Sequence, residues 1–260
     1  MLTERSARVV AAVKLHRHAA RKRQRRFLAE GPNLVEAAIT RGLALEVFAT
    51  EAAAQRHGGL LATAQAPVHL VTDRAAKALS DTVTPAGLLA VCQDPETDLQ
   101  ASLAGSPRLV AVAVGVGEPG NAGTLIRIAD ATGADLVVLT GNSVDPYNGK
   151  CLRSSAGSIF NVPVAVAADT DAVLTALAAA GLQVLATALD GELSLDDADP
   201  VLTAPTAWLF GPEAQGLPPE AAAAADHRVK IPMAGGAESL NVAAAAAICL
   251  YQSARVQRRA

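Results

Sequence analysis

From Leu109 onward the chain alternates short, nearly continuous apolar runs with segments whose apolar residues recur at helical spacing. The runs are Leu109–Val114, Leu136–Leu139, Val162–Val166, Leu182–Ala188, Ala207–Phe210 and Val229–Ile231. Strands that are apolar on both faces belong to a parallel sheet covered by helices on either side, and the pattern predicts such an α/β domain here. Upstream, a basic first helix is followed by alternating helix and strand patterns at Asn33–Thr40, Leu45–Thr50, Val68–Val71, Asp73–Leu79 and Leu88–Cys92. That half reads as a second, smaller α/β domain. The polar stretch Gln93–Asp98 leads to Gly105-Ser106-Pro107 and is rich in chain breakers, so the expected division is 1–98, a linker at 99–107, and 108–260. Eighteen residues without charge, Ala172–Leu189, raise the question of a membrane span. Gly181 splits them into a helix and a strand, and alanine is too weakly hydrophobic for a span, so the chain is expected to be cytoplasmic and free of membrane.

Composition sharpens this picture only in places. Across 260 residues 51% are apolar and 3% aromatic, so the core rests on aliphatic side chains and platforms for stacking nucleobases are scarce. The net charge of −3 hides an uneven distribution: residues 1–26 hold nine cations against Glu4 alone, +8, which leaves −11 elsewhere. Arg17, Arg21, Lys22, Arg25 and Arg26 are therefore candidate contacts to the phosphates of a nucleic acid, with Arg255, Arg258 and Arg259 as a second cluster. A helix whose charges serve only solvation is the alternative. Cys92, Cys151 and Cys249 are widely spaced with no histidine at ligand spacing, which argues against both a metal site and a disulfide and for a reducing compartment. The five histidines form no recognisable triad with serine or cysteine.

Candidate chemistry sits in three glycine-bearing junctions that follow apolar runs. The first, Gly115-Val116-Gly117-Glu118-Pro119-Gly120, has the spacing of a dinucleotide-binding turn. That fold needs an acidic residue about 20 positions on, at the end of the second strand. Here the second strand ends Leu139-Thr140-Gly141-Asn142, with no carboxylate until Asp145, so a nicotinamide or flavin site is disfavoured. Asn121 suits the cap of a helix over Ala122–Thr132. Arg127, four residues after Gly123, shares that residue's helix face or forms an ion pair with Asp130. The second junction brings Gly211, Glu213 and Gly216, with Glu213 exposed or capping a helix over Leu217–Ala225. In the third, Ser239 and Asn241 precede an alanine-rich helix whose first N–H groups they are placed to satisfy. A hydroxyl-rich stretch with Arg153 and Ser155 suits a ribose phosphate or ordinary capping.

Asn121-Ala122-Gly123 with Arg127, Gly211-Pro212-Glu213 with Gly216-Leu217, and Ile231-Pro232-Met233 with Ser239-Leu240-Asn241 resemble, in order and spacing, the three motifs of the SpoU family of RNA ribose 2'-O-methyltransferases. Lys150–Phe160 with Pro163 matches as well. The resemblance is firm over 108–255 and thinner over 1–98, where Glu30-Gly31 is similar to a small ribosomal-protein-like RNA-binding domain. It implies a trefoil-knotted C-terminal domain, a homodimer formed through it, and S-adenosylmethionine as cofactor. Thr187, Leu209, Gly211, Gly216, Ile231, Met233, Ser239, Leu240 and Asn241 would hold that cofactor. Arg127, Asn121, Glu213, Ser239 and Asn241 would form the catalytic set, with no metal. The substrate implied is large-subunit ribosomal RNA, as for the thiostrepton-resistance type. Transfer RNA, or a non-catalytic ribosome-assembly role on the same fold, stands as the alternative, and the intact motif residues argue against the latter. Using an arginine as base at neutral pH means shifting a pKa of ~13 by about six units, roughly 8 kcal/mol, so a cation that stabilises the alkoxide is the expected role.

Overall fold

A computed structural model describes residues 1–213 and 215–259. Ala260, the last residue of the expected second domain, lies outside them. The first elements are α1 (Ala7–Val13), α2 (His18–Gln24), β1 (Arg26–Glu30), α3 (Pro32–Thr40), β2 (Ala44–Ala49), α4 (Glu51–Arg56), α5 (Gly58–Thr63), β3 (Val68–Leu70), α6 (Asp73–Leu79) and β4 (Leu88–Gln93). They are followed by α7 (Leu99–Ala104), β5 (Leu109–Val114), α8 (Pro119–Thr132), β6 (Leu136–Thr140), α9 (Gly149–Ser155), β7 (Val164–Ala167), α10 (Thr170–Ala179) and β8 (Gln183–Thr187). The chain ends with β9 (Leu193–Ser194), β10 (Thr206–Phe210), α11 (Pro219–Ala223), β11 (His227–Lys230) and α12 (Val242–Gln257).

Two compact units divide the chain, one of residues 1–96 with 147–160, the other of 97–146 with 161–260. The first holds a four-stranded sheet in the order β1-β4-β2-β3, antiparallel except for β2 with β3. Its core gathers Val9, Leu15, Phe48, Leu79 and Leu89. Three local features differ from the sequence-based expectation. The basic segment is not one helix. Arg25 takes a left-handed conformation (φ 54°) that ends α2, and the apolar Phe27-Leu28-Ala29 then enters the sheet as a buried strand. The expected linker 99–107 contains α7, capped by the Asp98 carboxylate accepting from Ala101 N at 2.7 Å, with Leu103 buried in the second core. Residues 147–160 group with the first unit, because Cys151, Leu152 and Ser155 of α9 are buried there and Phe160 stacks on Phe27 with ring centroids 6.0 Å apart.

The second unit is a seven-stranded sheet in the order β7-β6-β5-β10-β8-β11-β9, and every pairing is parallel. β5, β6 and β10 are buried along their whole length, as strands covered on both faces must be. The first three strands step outward in one direction. The chain then crosses to begin β8 on the other side, and β10 later fills the place between β5 and β8. α8 starts at Pro119, with Glu118 as its cap, and stops at left-handed Gly133 (φ 77°), where Ala134 N donates back to Ala129 O. α12 packs against α8, β5 and β10, and the buried Trp208 Nε1 donates to Ser253 Oγ at 2.8 Å, so the indole N–H is satisfied inside the core.

Candidate functional site

Ligands of open parallel sheets sit beyond the carboxyl ends of the strands, where the strand order reverses. In the second unit that position lies past β8, β10 and β11. The loops there are shaped by close backbone approach. A Cβ on Gly211 would stand 2.5 Å from Gly216 C and Leu217 N, so only glycine lets the loop after β10 fold back on itself. Gly191 is pressed in the same way against Arg228 O and Lys230 N, both 2.7 Å from where its Cβ would be. Arg228 of β11 fixes that loop from the side. Its Nη1 donates to both Asp190 carboxylate oxygens (3.1 and 3.2 Å), its Nε to Glu192 Oε2 (3.2 Å), and its backbone N to Glu192 Oε1 (2.8 Å). The backbone N–H of Arg228 holds the Glu192 carboxyl below its ordinary range.

These loops enclose a cavity of about 440 Å³. Of the expected cofactor residues, Thr187, Gly211, Gly216, Ile231, Met233, Ser239 and Leu240 line it. Leu209 does not. It is fully buried in β10, and its carbonyl accepts from Thr187 Oγ1 at 3.0 Å, so it holds the wall from behind. Asn241 also stands off the lining and acts through hydrogen bonds. Leu189, Asp190 and Arg228 line the cavity and were not anticipated. For Leu189 and Asp190 a signal was available, since Ala188–Gly191 follows the apolar run that becomes β8 and must lie at its carboxyl end.

Beside the cavity three side chains from three distant motifs meet. Glu213 Oε1 accepts from Asn121 Nδ2 at 3.0 Å, from Val242 N at 3.1 Å and from Asn241 Nδ2, whose amide also donates to Asn121 Oδ1 at 3.1 Å. Asn241 caps α12 as expected, accepting from Ala243 N and Ala244 N. Three capping expectations change. Asn121 lies inside the first turn of α8, because Pro119 starts the helix and Glu118 caps it. Glu213 serves α12 and not α11, whose N-cap is Pro218; a carboxylate at a helix N-terminus is favoured by the helix dipole. Ser239, also expected to cap α12, is exposed at the cavity edge and makes no hydrogen bond to that helix among the described residues. Arg127 is exposed on α8 with no hydrogen bond or ion pair among the described residues, and Asp130 accepts from Asn161 Nδ2 at 3.0 Å in place of an Arg127 pair.

The expected RNA contacts divide. Arg17, Lys22 and Arg26 are exposed. Arg21 is buried, its Nη1 donating to the carbonyls of Leu15 (2.8 Å) and His16 (2.9 Å), so it ties α2 to the preceding turn and is withdrawn from phosphate contact. Arg25 pairs with Glu96 at 2.6 Å. Arg153 pairs with Asp81. Ser155 is fully buried and its Oγ donates within α9 to Leu152 O at 2.8 Å, which removes it as a ribose-phosphate ligand. Among the described residues no group of three or more histidine, cysteine or acidic side chains is placed to hold a metal, and no helix is long and apolar enough to cross a membrane.

A cavity at the carboxyl ends of a parallel sheet, its loops drawn in by close backbone approach at Gly191 and Gly211 and large enough for a nucleoside with a tail, is the kind of site in which an enzyme holds a nucleotide-sized cofactor. The chain belongs to the SpoU rRNA Methylase family, whose model matches residues 108–251. A second model, the MRM3-like substrate binding domain, matches residues 7–90. A 23S rRNA (guanosine(2553)-2'-O)-methyltransferase, RlmP, of Bacillus subtilis is 36% identical over 242 residues, covering 92% of each chain. The SpoU methyltransferase AviRb of Streptomyces viridochromogenes, in complex with the cofactor AdoMet, superposes with a TM-score of 0.86 at 30% identity over 98% of this chain and 99% of that one. An AdoMet-bound rRNA methyltransferase from Sinorhizobium meliloti gives 0.83 at 29% identity, over 96% and 95%.

Gly211→Ala is expected to weaken AdoMet binding at least tenfold, about 1.4 kcal/mol, with the circular dichroism spectrum unchanged. Calorimetric titration checks this. An unaltered affinity would mean that the Gly211 approach to Gly216 does not shape the cavity.

Proposed function

We propose that this protein transfers a methyl group from S-adenosylmethionine to a ribose 2'-hydroxyl of large-subunit ribosomal RNA in the cytoplasm. The observation that carries the reading is the meeting of Asn121, Glu213 and Asn241 at the edge of the cavity, since it joins the three motifs into one site. The Bacillus subtilis relative, matched along nearly its whole length, supports the choice of ribosomal over transfer RNA. S-adenosylmethionine, when bound, supplies a methyl group on a positively charged sulfur. The chain's own residues must then orient the ribose, stabilise the oxygen as its proton leaves, and keep water from competing.

Backbone groups around Gly211, Ile231 and Leu240 hold the cofactor, and Thr187, Met233 and Ser239 close on it. Glu213 and the two asparagines form a preorganised cluster that sets the loop positions, because each amide is already hydrogen bonded before any ligand arrives. Arg127 supplies the cation for the developing alkoxide and the neighbouring phosphate. Six residues separate it from Asn121 on α8, a rotation of about 240° beyond whole turns, so it faces away from its own cluster. That geometry supports a site completed by a second copy, with the α8 of one protomer set against the cofactor loops of the other. The trefoil knot belongs to the same reading, with β10 closing the sheet late in the chain.

Arg127→Ala is expected to abolish methyl transfer to ribosomal RNA while S-adenosylmethionine affinity stays within a few-fold. Arg127→Lys, which keeps charge but not the planar fork, should retain partial activity. Full activity in the alanine variant would remove Arg127 from the mechanism. The proposed dimer should appear by light scattering at micromolar concentration, and a monomer there would contradict it. Exposed Arg17, Lys22, Arg23 and Arg26 capture RNA through phosphates. Their joint replacement by Gln should lower the salt slope of log affinity by roughly three, about 0.7 to 0.9 per contact. An unchanged slope would show these charges to be only a solvated face.

A further inference from the structure

The first unit contains a second cavity, of about 140 Å³, that the reaction just described does not use. Glu30 at the end of β1 lines it. One carboxylate oxygen, Oε1, accepts from Ser80 Oγ (2.6 Å), Thr82 Oγ1 (3.2 Å) and Ala86 N (3.4 Å), and so organises the turn between α6 and β4. The other, Oε2, is buried with no hydrogen-bond partner among the described residues. A buried carboxylate oxygen needs a donor, and a site holding one calls for a ligand that brings N–H or O–H groups. A metal cation fits poorly, because two guanidinium groups, Arg21 and Arg153, stand in the same wall.

The rest of the lining narrows the ligand. Tyr147 is half-buried, lines the cavity and is stacked on Phe27 with centroids 4.5 Å apart, in a chain with only seven aromatic residues. Arg153 spends Nη1 on Asp81 and keeps further N–H donors for carbonyl oxygens. An aromatic face, an acceptor and free donors together match the Watson–Crick edge of an unstacked base, the form in which RNA sequence is read. The volume matches a single six-membered ring, since a cavity of about 150 Å³ accepts benzene. Exposed Arg17 and Lys22 lie on the elements that carry the lining residues His16 and Arg21, ready for the adjoining phosphates.

We infer that this cavity captures one unpaired pyrimidine base of the RNA substrate, with Glu30 accepting an N–H from its edge and Tyr147 stacking on its face. The inference rests on the RNA-methyltransferase reading and gives the first unit a means of sequence selection separate from the chemistry. It is tested on the full chain by fluorescence anisotropy with labelled decamers of cytidine, uridine and adenosine. The wild type should bind both pyrimidine decamers about tenfold more tightly than the adenosine decamer. Glu30→Gln keeps an acceptor for Ser80 and Thr82 but places an amide at the second position, and should erase that preference while leaving adenosine-decamer affinity unchanged. Leu79→Phe fills the cavity from its apolar wall without touching Glu30 and should do the same. An unchanged circular dichroism spectrum and a single thermal transition at the wild-type midpoint in both variants confirm that the first unit is folded, and unchanged S-adenosylmethionine affinity confirms the second. A wild type without pyrimidine preference, or variants that weaken all three decamers alike, would overturn the inference. A wild type that fails to bind S-adenosylmethionine would instead strike the methyltransferase reading itself.

Discussion

The second unit depends on β10 occupying the place between β5 and β8. That strand pairs on both edges along its length, and its side chains, from Thr206 to Phe210, are entirely buried. Its contacts are with residues 97 positions earlier on one side and 23 positions earlier on the other, so the sheet cannot close until most of the chain is in position. Such non-local pairing is slow to form, because loop closure must precede the contacts that reward it. The same insertion puts Gly211 at the cavity, since it directly follows the last residue of the strand. Support for the core and shape for the site therefore come from one element.

Around that strand the polar arrangement is economical. Glu213 accepts hydrogen bonds from the first turn of α8, from the cap residue of α12 and from the first N–H of α12. One carboxylate oxygen thereby registers two helices that also pack on each other through their apolar faces. Asn241 was expected to cap α12 and does; Asn121 was expected to cap α8, and Glu213 to cap a following helix or stand exposed. In the structure both are instead bound to Asn241, and Glu213 to α12.

Much of the fold was legible because its signals are local. The central strands β5, β6 and β10 are buried on both faces and almost wholly apolar, so they could be read without knowing their neighbours. Asn241 announced α12 by type and position alone. What could not be read was anything decided across the chain. The β1 strand was hidden by the basic residues before it, and only the left-handed turn at Arg25 separates them. Arg21 has the same composition-level signature as Lys22, yet carbonyls of the preceding turn withdraw it from solvent. Ser155 looked like a phosphate ligand until helix α9 turned it inward. At the candidate site the glycines were plain, because a residue without a side chain at the end of an apolar run has few other uses. Arg228 had no such signal, since its value lies in a pairing with Asp190 that spans 38 positions.

The wall of the large cavity is shaped by backbone passing close to backbone, most tightly where Gly211 meets Gly216 and Leu217. A wall of this kind is preserved by the path of the chain and is largely indifferent to the side chains that decorate it. Lineages can drift far in sequence and still enclose the same cofactor. The converse falls on anyone seeking a compound that inhibits this enzyme and spares its relatives. Where the wall is backbone it offers little discrimination, so selectivity has to be found in the side chains that line the rest, such as the Asp190–Arg228 pair.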